Sequence, residues 1–179
     1  VKAIRMETSA MGGDSHVWVK NRMINIGPRR VMPLCLAAVK YPGFIEQLKS
    51  GRTPSRVQLG ENVQPTKFFV RTGKQSLGLS GYDKDIFEII GDEPVCINDI
   101  FWKLGKPISP DRLDSLIQKR LIQAIGFTPT DALHVLDEYT DWDVEASMIG
   151  ANLLARLTSM DEYELCRNIK GEVAVNMAL

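Results

Sequence analysis

The sequence predicts a mixed α/β fold, β-rich in its first third and mainly helical afterwards. Three observations carry that expectation. Short apolar runs separated by turn residues fill the first 75 positions, and helix-capping signatures recur from residue 80 onward. A composition of 44% apolar and 25% charged residues over 179 positions is enough to bury a core. The expected divisions are residues 1–75 as a β-rich part, 76–127 as a small helical insert, and 128–179 as a helical return.

Taken in order, Ala3 to Thr8 alternates like a strand. Val17 to Lys20 and Met23 to Ile26 form two strands joined at Asn21-Arg22, a hairpin turn because asparagine tolerates the left-handed conformation. Gly27-Pro28 is expected to end their pairing. Pro33 to Leu48 reads as helix, interrupted at Tyr41-Pro42-Gly43 because proline disfavours helix at the residue before it. Residues 50–65 carry Gly51, Pro54, Gly60 and Pro65 and read as a loop, and Thr66 to Thr72 is a further strand.

The helical part is read from its caps. Ser80-Gly-Tyr-Asp83 is a capping box for a helix to about Ile90, and Ile97 to Leu104 is a second helix. Ser109-Pro110 opens a third, with proline where no amide is missed. Leu121 to Ile125 is a short strand. Thr128-Pro-Thr-Asp131 caps a fourth helix and Thr140-Asp-Trp-Asp143 a fifth. Trp142, Ala146, Ile149, Leu153 and Leu157 would form the fifth helix's apolar face, and Asp161 to Val175 a sixth helix.

Several function classes are made improbable by composition. Three cysteines, Cys35, Cys96 and Cys166, argue against a disulfide scaffold and for reduced thiols in the cytoplasm. No run of about 18 apolar residues suggests a membrane span, and the start has no signal-peptide shape. Both ends look cut, which predicts a fragment of a longer chain. Thiolate metal sites are disfavoured, since no Cys-x-x-Cys occurs and the two histidines lie 118 positions apart. The helix, helix, helix, strand order over residues 82–127 is that of a winged helix. Residues 83–125 carry 6 Lys+Arg against 8 Asp+Glu, however, which argues against nucleic acid as a partner.

Charge is unevenly spread. Residues 1–74 hold 13 Lys+Arg against 4 Asp+Glu, a balance of +9, and residues 75–179 hold 9 against 18, a balance of −9. Either the halves dock and neutralise one another, or the basic half lines a cleft for an anion.

Three constellations can carry chemistry. Gly12-Gly13-Asp14-Ser15-His16 lies between strands, where paired glycines let the backbone approach a ligand and Asp14 can hold a water on magnesium or orient an attacking one. The competing reading is a tight turn whose side chains bond their own backbone. Arg29-Arg30 follows a stiff turn and suits phosphate or carboxylate, or is a solvated pair. His134 lies three and four positions from Asp131 and Glu138 on one helix face, either oriented by a carboxylate or merely solvated.

Together, Gly12-Gly-Asp-Ser-His16, Ile26-Gly-Pro-Arg-Arg-Val-Met-Pro-Leu34, Gly126-Phe-Thr-Pro-Thr-Asp-Ala-Leu-His-Val-Leu136 and Trp142-Asp-Val-Glu-Ala146 resemble the hydantoinase/oxoprolinase family in order and spacing. The resemblance implies part of an actin-like, sugar-kinase-like ATPase lobe. The full-length parent would open a cyclic amide such as a hydantoin or 5-oxoproline, with ATP and magnesium as cofactors. Asp14 and His16 would be catalytic, and Gly12, Gly13, Ser15, Arg29 and Arg30 would bind the cofactor. Thr130, Asp131 and His134 would touch substrate or support the site. The family's glycine- and threonine-rich phosphate loop has no counterpart here, so the expected partner is a missing N-terminal lobe, and the fragment alone is expected to be inactive. The alternative is a non-catalytic interaction or regulatory module of a carboxylase-like complex.

Overall fold

The computed structural model describes residues 4–6, 11–50, 58–79, 81–106 and 108–177. Among these, the chain is mixed α/β, with two three-stranded sheets and eight helices. The Ser80 cap and residues 51–57 of the expected loop lie outside the described residues, as do Ala3, Glu7 and Thr8 of the first expected strand.

The first sheet has the order β1-β3-β2, from β1 (Ile4–Met6), β2 (Ser15–Lys20) and β3 (Met23–Arg30). Strands β2 and β3 form the expected hairpin, with Asn21 at φ 54° and Arg22 at φ 63°. Both turn residues are left-handed, which matches the twist of the flanking strands. Gly27-Pro28 does not end the pairing as expected. Strand β3 continues to Arg30, and the register shifts between Ser15 and Val17 so that Ser15 faces Arg30. Gly27, at φ 76°, absorbs the irregularity. This is what carries Arg30 across to the Gly12–Asp14 bend.

Strand β2 is an edge strand, yet its outer backbone is occupied. Val17 N–H donates to the Phe127 carbonyl at 2.8 Å. The Gln64 side chain acts as a short stand-in strand: its carbonyl accepts from Val19 N–H at 3.0 Å, and its amide donates to Val19 O at 2.8 Å.

The second sheet has the order β4-β6-β5, from β4 (Met32–Pro33), β5 (Phe68–Arg71) and β6 (Ile122–Gly126). Its side chains are shared between two apolar cores by the two-residue period of a strand. Phe68, Val70 and Ile125 join the core of the first sheet, while Phe69, Ile122 and Ala124 join the other. That second core is filled by α3 (Gly81–Ile89), α4 (Ile97–Leu104) and α5 (Pro110–Gln118).

The first core is closed by α1 (Leu34–Lys40), α2 (Phe44–Ser50), α6 (Pro129–Val135), α7 (Val144–Ala155) and α8 (Glu162–Met177). The break between α1 and α2 falls at Tyr41 to Gly43, as the proline predicts. The face of α7 differs from expectation. Ala146, Ser147, Gly150, Ala151, Leu154 and Ala155 are buried, whereas Ile149 and Leu153 are only half-buried. Small residues win this face because they let α7 approach α1 closely.

Gly150 sits at the tightest point. A methyl group there would overlap Leu34 Cδ1 and lie 3.1 Å from Phe127 Cδ2. Gly150→Ala should therefore cost about 2 kcal/mol and roughly 6 °C of melting temperature despite alanine's better helix propensity. Thermal unfolding checks this, and a rise in melting temperature would show that the interface has room.

Two ion pairs, Arg29–Asp114 at 2.6 Å and Lys49–Glu145 at 3.2 Å, join the basic and acidic halves of the sequence. Among the described residues, no helix is long and apolar enough to cross a membrane. Cys35, Cys96 and Cys166 are all free thiols.

Candidate functional site

The Gly12–Asp14 bend is fixed from three sides. Its own turn is closed by Ser15, whose N–H donates to Gly12 O at 3.1 Å and whose hydroxyl accepts from Gly12 N–H at 3.0 Å. Thr130, in the first turn of α6, holds Gly13 O through its N–H at 3.1 Å and its hydroxyl at 2.8 Å. Val31 N–H donates to Asp14 O at 2.9 Å. Close approach favours glycine at position 13, where a Cβ would lie 2.7 Å from the hydrogen-bonded Thr130 Oγ1; at Gly12 a Cβ would meet the Arg30 guanidinium at 2.8 Å, which that flexible side chain can relieve by shifting.

Ser15 is thereby spent on the turn, but Asp14 is not. Its side chain is 46% exposed and ion-paired with Arg30, itself 53% exposed. The two line a cavity of about 430 Å³ with Thr72, Ile117, Arg120 and Gln123, between the bend, β6 and the end of α5. Asp14 is the one carboxylate in that lining, beside two arginines.

A second cavity, of about 260 Å³, adjoins the first through Arg30, Val31, Ile117 and Ala124 and adds Arg29, Lys67, Asp114 and Gln118. Arg29 is ion-paired with both Glu61 and Asp114. Behind it lies a buried polar cluster that the sequence did not reveal. Lys67, only 1% exposed, sits with Nζ 3.4 Å from His16 Nδ1 and 3.4 Å from Glu61 O. Glu61 Oε1 is 3.8 Å from the same histidine nitrogen.

His16 belongs to this interior and not to the cavity beside Asp14. It has no exposed surface, and burial together with the Lys67 cation lowers its pKa to about 3. The ring is therefore neutral at neutral pH. A Lys67 ammonium donating to Nδ1 places the ring proton on Nε2, which has no partner. Burial also lowers the Lys67 amine to about 8, against the pull of Glu61. Burial opposes charge on Glu61 as well, but the neighbouring Lys67 and Arg29 cations hold its pKa below the ordinary carboxylate value.

Asp131 and His134 are engaged elsewhere. Asp131 is fully buried, and its carboxylate accepts from Leu34 N–H at 3.1 Å, Cys35 N–H at 2.9 Å, Thr128 N–H at 3.0 Å, Thr128 Oγ1 at 2.9 Å and Ser147 Oγ at 2.6 Å. Thr128 and Asp131 form the expected capping box of α6. The same carboxylate also caps α1, whose own N-cap, Pro33, offers no side-chain acceptor. One negative charge thus serves two helix N-termini.

His134 is 1% exposed and lies on no polar face. Its Nδ1 donates to Thr130 O at 2.8 Å, and its Nε2 accepts from Trp142 N–H at 3.1 Å. The expected carboxylate partner is replaced by backbone on both sides. Helix α6 ends at Val135, and Glu138 pairs instead with Lys170. The nearby Cys35 thiol is pushed far up by burial and Asp131, and Cys166 up to about 12 by burial, so neither is a nucleophile near neutral pH.

The structure therefore brings Asp14, Arg30 and, through Arg30, Arg29 to one concave surface, with Gly12, Gly13, Ser15 and Thr130 as its frame. His16, Asp131 and His134 are buried away from the Asp14 cavity lining. Arg120, Lys67 and Glu61 join the surroundings without a sequence signal, since Lys67 and Glu61 are isolated charges and Arg120 with Lys119 reads as the basic end of a helix. No group of three or more His, Cys, Asp or Glu able to hold a metal occurs among the described residues. No family model matches the chain, no curated protein matches it, and no solved structure matches it.

Proposed function

We propose that this chain is part of a hydantoinase/oxoprolinase-type hydrolase that opens a cyclic amide at the expense of ATP, and that the Asp14 cavity faces its ligand. The observation that supports this reading most directly is the bend itself. Gly12 and Gly13 hold a half-exposed carboxylate, paired to an arginine rather than to local amides, at the wall of a cavity with two guanidinium groups.

In this reading the β-rich segment and the closing helices form part of an actin-like lobe, and residues 76–127 a winged-helix-like insert that lends Ile117 and Arg120 to the cavity. The donor set suits a phosphate-bearing ligand, because planar guanidinium groups donate in pairs to phosphate oxygens. It suits magnesium more narrowly. With Asp14 as the one carboxylate of the described lining, a metal would draw most of its ligands from phosphate and water. ATP, when bound, would activate the amide carbonyl by phosphorylating its oxygen, so that water can add to the carbon, the ring C–N bond breaks and the nitrogen leaves as an amine that takes up a proton. Arg30 and Arg120 would hold the ligand's negative charge, while Asp14 would orient the attacking water and take its proton.

The test is turnover of the full-length protein with ATP, magnesium and a cyclic amide. Asp14→Ala should lower kcat about 10²- to 10⁴-fold, the usual contribution of a positioned base. Stability should hardly change, because an exposed ion pair contributes little. Unchanged turnover would remove Asp14 from the reaction, and with it this reading of the cavity.

A further inference from the structure

We propose that the 260 Å³ cavity beside the Asp14 site is a binding pocket for a small oxyanion, with Lys67 as its innermost cation and Arg29 and Arg30 at its walls. The proposal does not rest on the hydrolase reading, since it requires neither nucleotide nor turnover.

The lysine is the starting point. A side chain that is 1% exposed has left water behind at considerable cost, and an ammonium group needs three acceptors to recover it. Lys67 is given two, a neutral imidazole and a backbone carbonyl, each at the long limit of 3.4 Å, with the Phe69 ring centroid 5.8 Å away as a weaker third contact. The closest carboxylate of the cluster, Glu61, gives one oxygen to Arg29. A lysine kept only for packing would be replaced at little cost by methionine. A lysine waiting for an anion would look as this one does.

The surroundings agree. Arg29, Arg30 and Lys67 line the cavity with Asp114 as the one carboxylate of the lining; Arg29 is paired with Asp114 and Glu61 and Arg30 with Asp14, which leaves Lys67 as the cation of the three without an ion pair among the described residues. The volume suits a ligand of a few heavy atoms. Buried polar atoms without partners occur at His16 Nε2 and Glu61 Oε1 in the Lys67 cluster and at Asp114 Oδ1 on the lining; the imidazole N–H can donate, while the two carboxylate oxygens accept and call for a donor such as water. Such atoms are rare in a finished interior and mark a place where water or a ligand completes the network. The groups facing Lys67 are His16 from β2, Arg29 from β3, Glu61 from the preceding loop and Asp114 from α5. Burial holds the amine near 8, so its charge is available at neutral pH and lost just above it.

Sulfate is a suitable probe because its charge is constant across the range in which lysine titrates, and acetate tests a monocarboxylate. Each should be titrated against the intact chain by calorimetry and thermal shift, with chloride matched for ionic strength. Sulfate or acetate should stabilise the protein at millimolar concentrations, and the tighter of the two assigns the ligand's charge. Lys67→Met should weaken binding about tenfold, the loss of one charge-assisted contact. Should that variant fail to fold, the wild-type pH series decides. Affinity should fall as pH rises through about 8, while Glu61 and Arg29 stay charged and His16 neutral. The proposal is overturned if neither anion stabilises the protein beyond chloride at tens of millimolar. It is equally overturned if binding ignores both Lys67→Met and pH.

Discussion

Asp131→Ala should remove at least about 4 kcal/mol of stability, a large share of what a domain of this size possesses, and leave little folded protein at 37 °C. The reason is the number of donors that would lose their acceptor at once. Leu34 and Cys35 N–H, Thr128 N–H and hydroxyl, and Ser147 hydroxyl all point at one carboxylate with no exposure to water. Each buried donor left unmatched costs about 1–3 kcal/mol, and donors to a charged acceptor stand at the upper end. Asp131→Asn is the informative companion. It retains one acceptor oxygen but turns an NH₂ towards N–H groups, so it should lose roughly half as much. Urea unfolding at constant m-value measures both. An Asp131→Ala variant within about 1 kcal/mol of the wild type would show that these donors find other partners.

Acid should destabilise the protein well before most carboxylates titrate, and His16 is the cause. Its folded pKa is lowered from 6.5 to about 3 by burial and by Lys67. Between those two values the unfolded chain binds a proton that the folded chain refuses. Stability therefore falls as pH falls from 6.5 towards 3. The full window corresponds to about 5 kcal/mol at roughly 1.4 kcal/mol per pH unit. Between pH 6.5 and 5, where few carboxylates interfere, about 2 kcal/mol should be lost. A series of urea midpoints across that interval measures it, and His16→Asn should flatten the slope whatever its effect on the absolute stability. A wild-type midpoint that stays level there would mean that the imidazole reaches solvent or gains an acceptor for its second proton. Lys67 acts in the opposite pH range. With its amine lowered from 10.5 to about 8, the folded state gains stability as pH rises between those values.

What the sequence made legible was local. The Asn21-Arg22 turn, the break at Pro42, the proline that opens α5 and the capping box of α6 all follow from interactions within four residues. Partners far apart in the chain were not legible. The Thr128-x-x-Asp131 pattern announces a cap, but nothing in it announces that the same carboxylate reaches Leu34, 97 positions away. His134 was paired with Glu138 by helical spacing, and the helix stops before Glu138. On α7 the large apolar residues suggested a face, whereas packing selected Gly150 and its small neighbours because they admit Leu34 and Phe127.

The candidate site divides in the same way. Gly12, Gly13 and Asp14 were visible because paired glycines mark a sharp bend beside a carboxylate, although a plain turn fits the same pattern, and Arg30 because it doubles Arg29. Lys67 was hidden. A lysine at the start of a strand ordinarily reaches solvent, and only the fold shows it turned inward beneath His16 and Glu61.

The Gln64 side chain has a consequence for how copies of this protein behave towards one another. The rim of a sheet normally advertises a row of free amides and carbonyls on which a second polypeptide can crystallise strand by strand. Here a single amide side chain occupies Val19 on both its donor and its acceptor, and Phe127 takes the donor at Val17. The rim is plugged from within, so crowding does not find a template for intermolecular β growth along this edge.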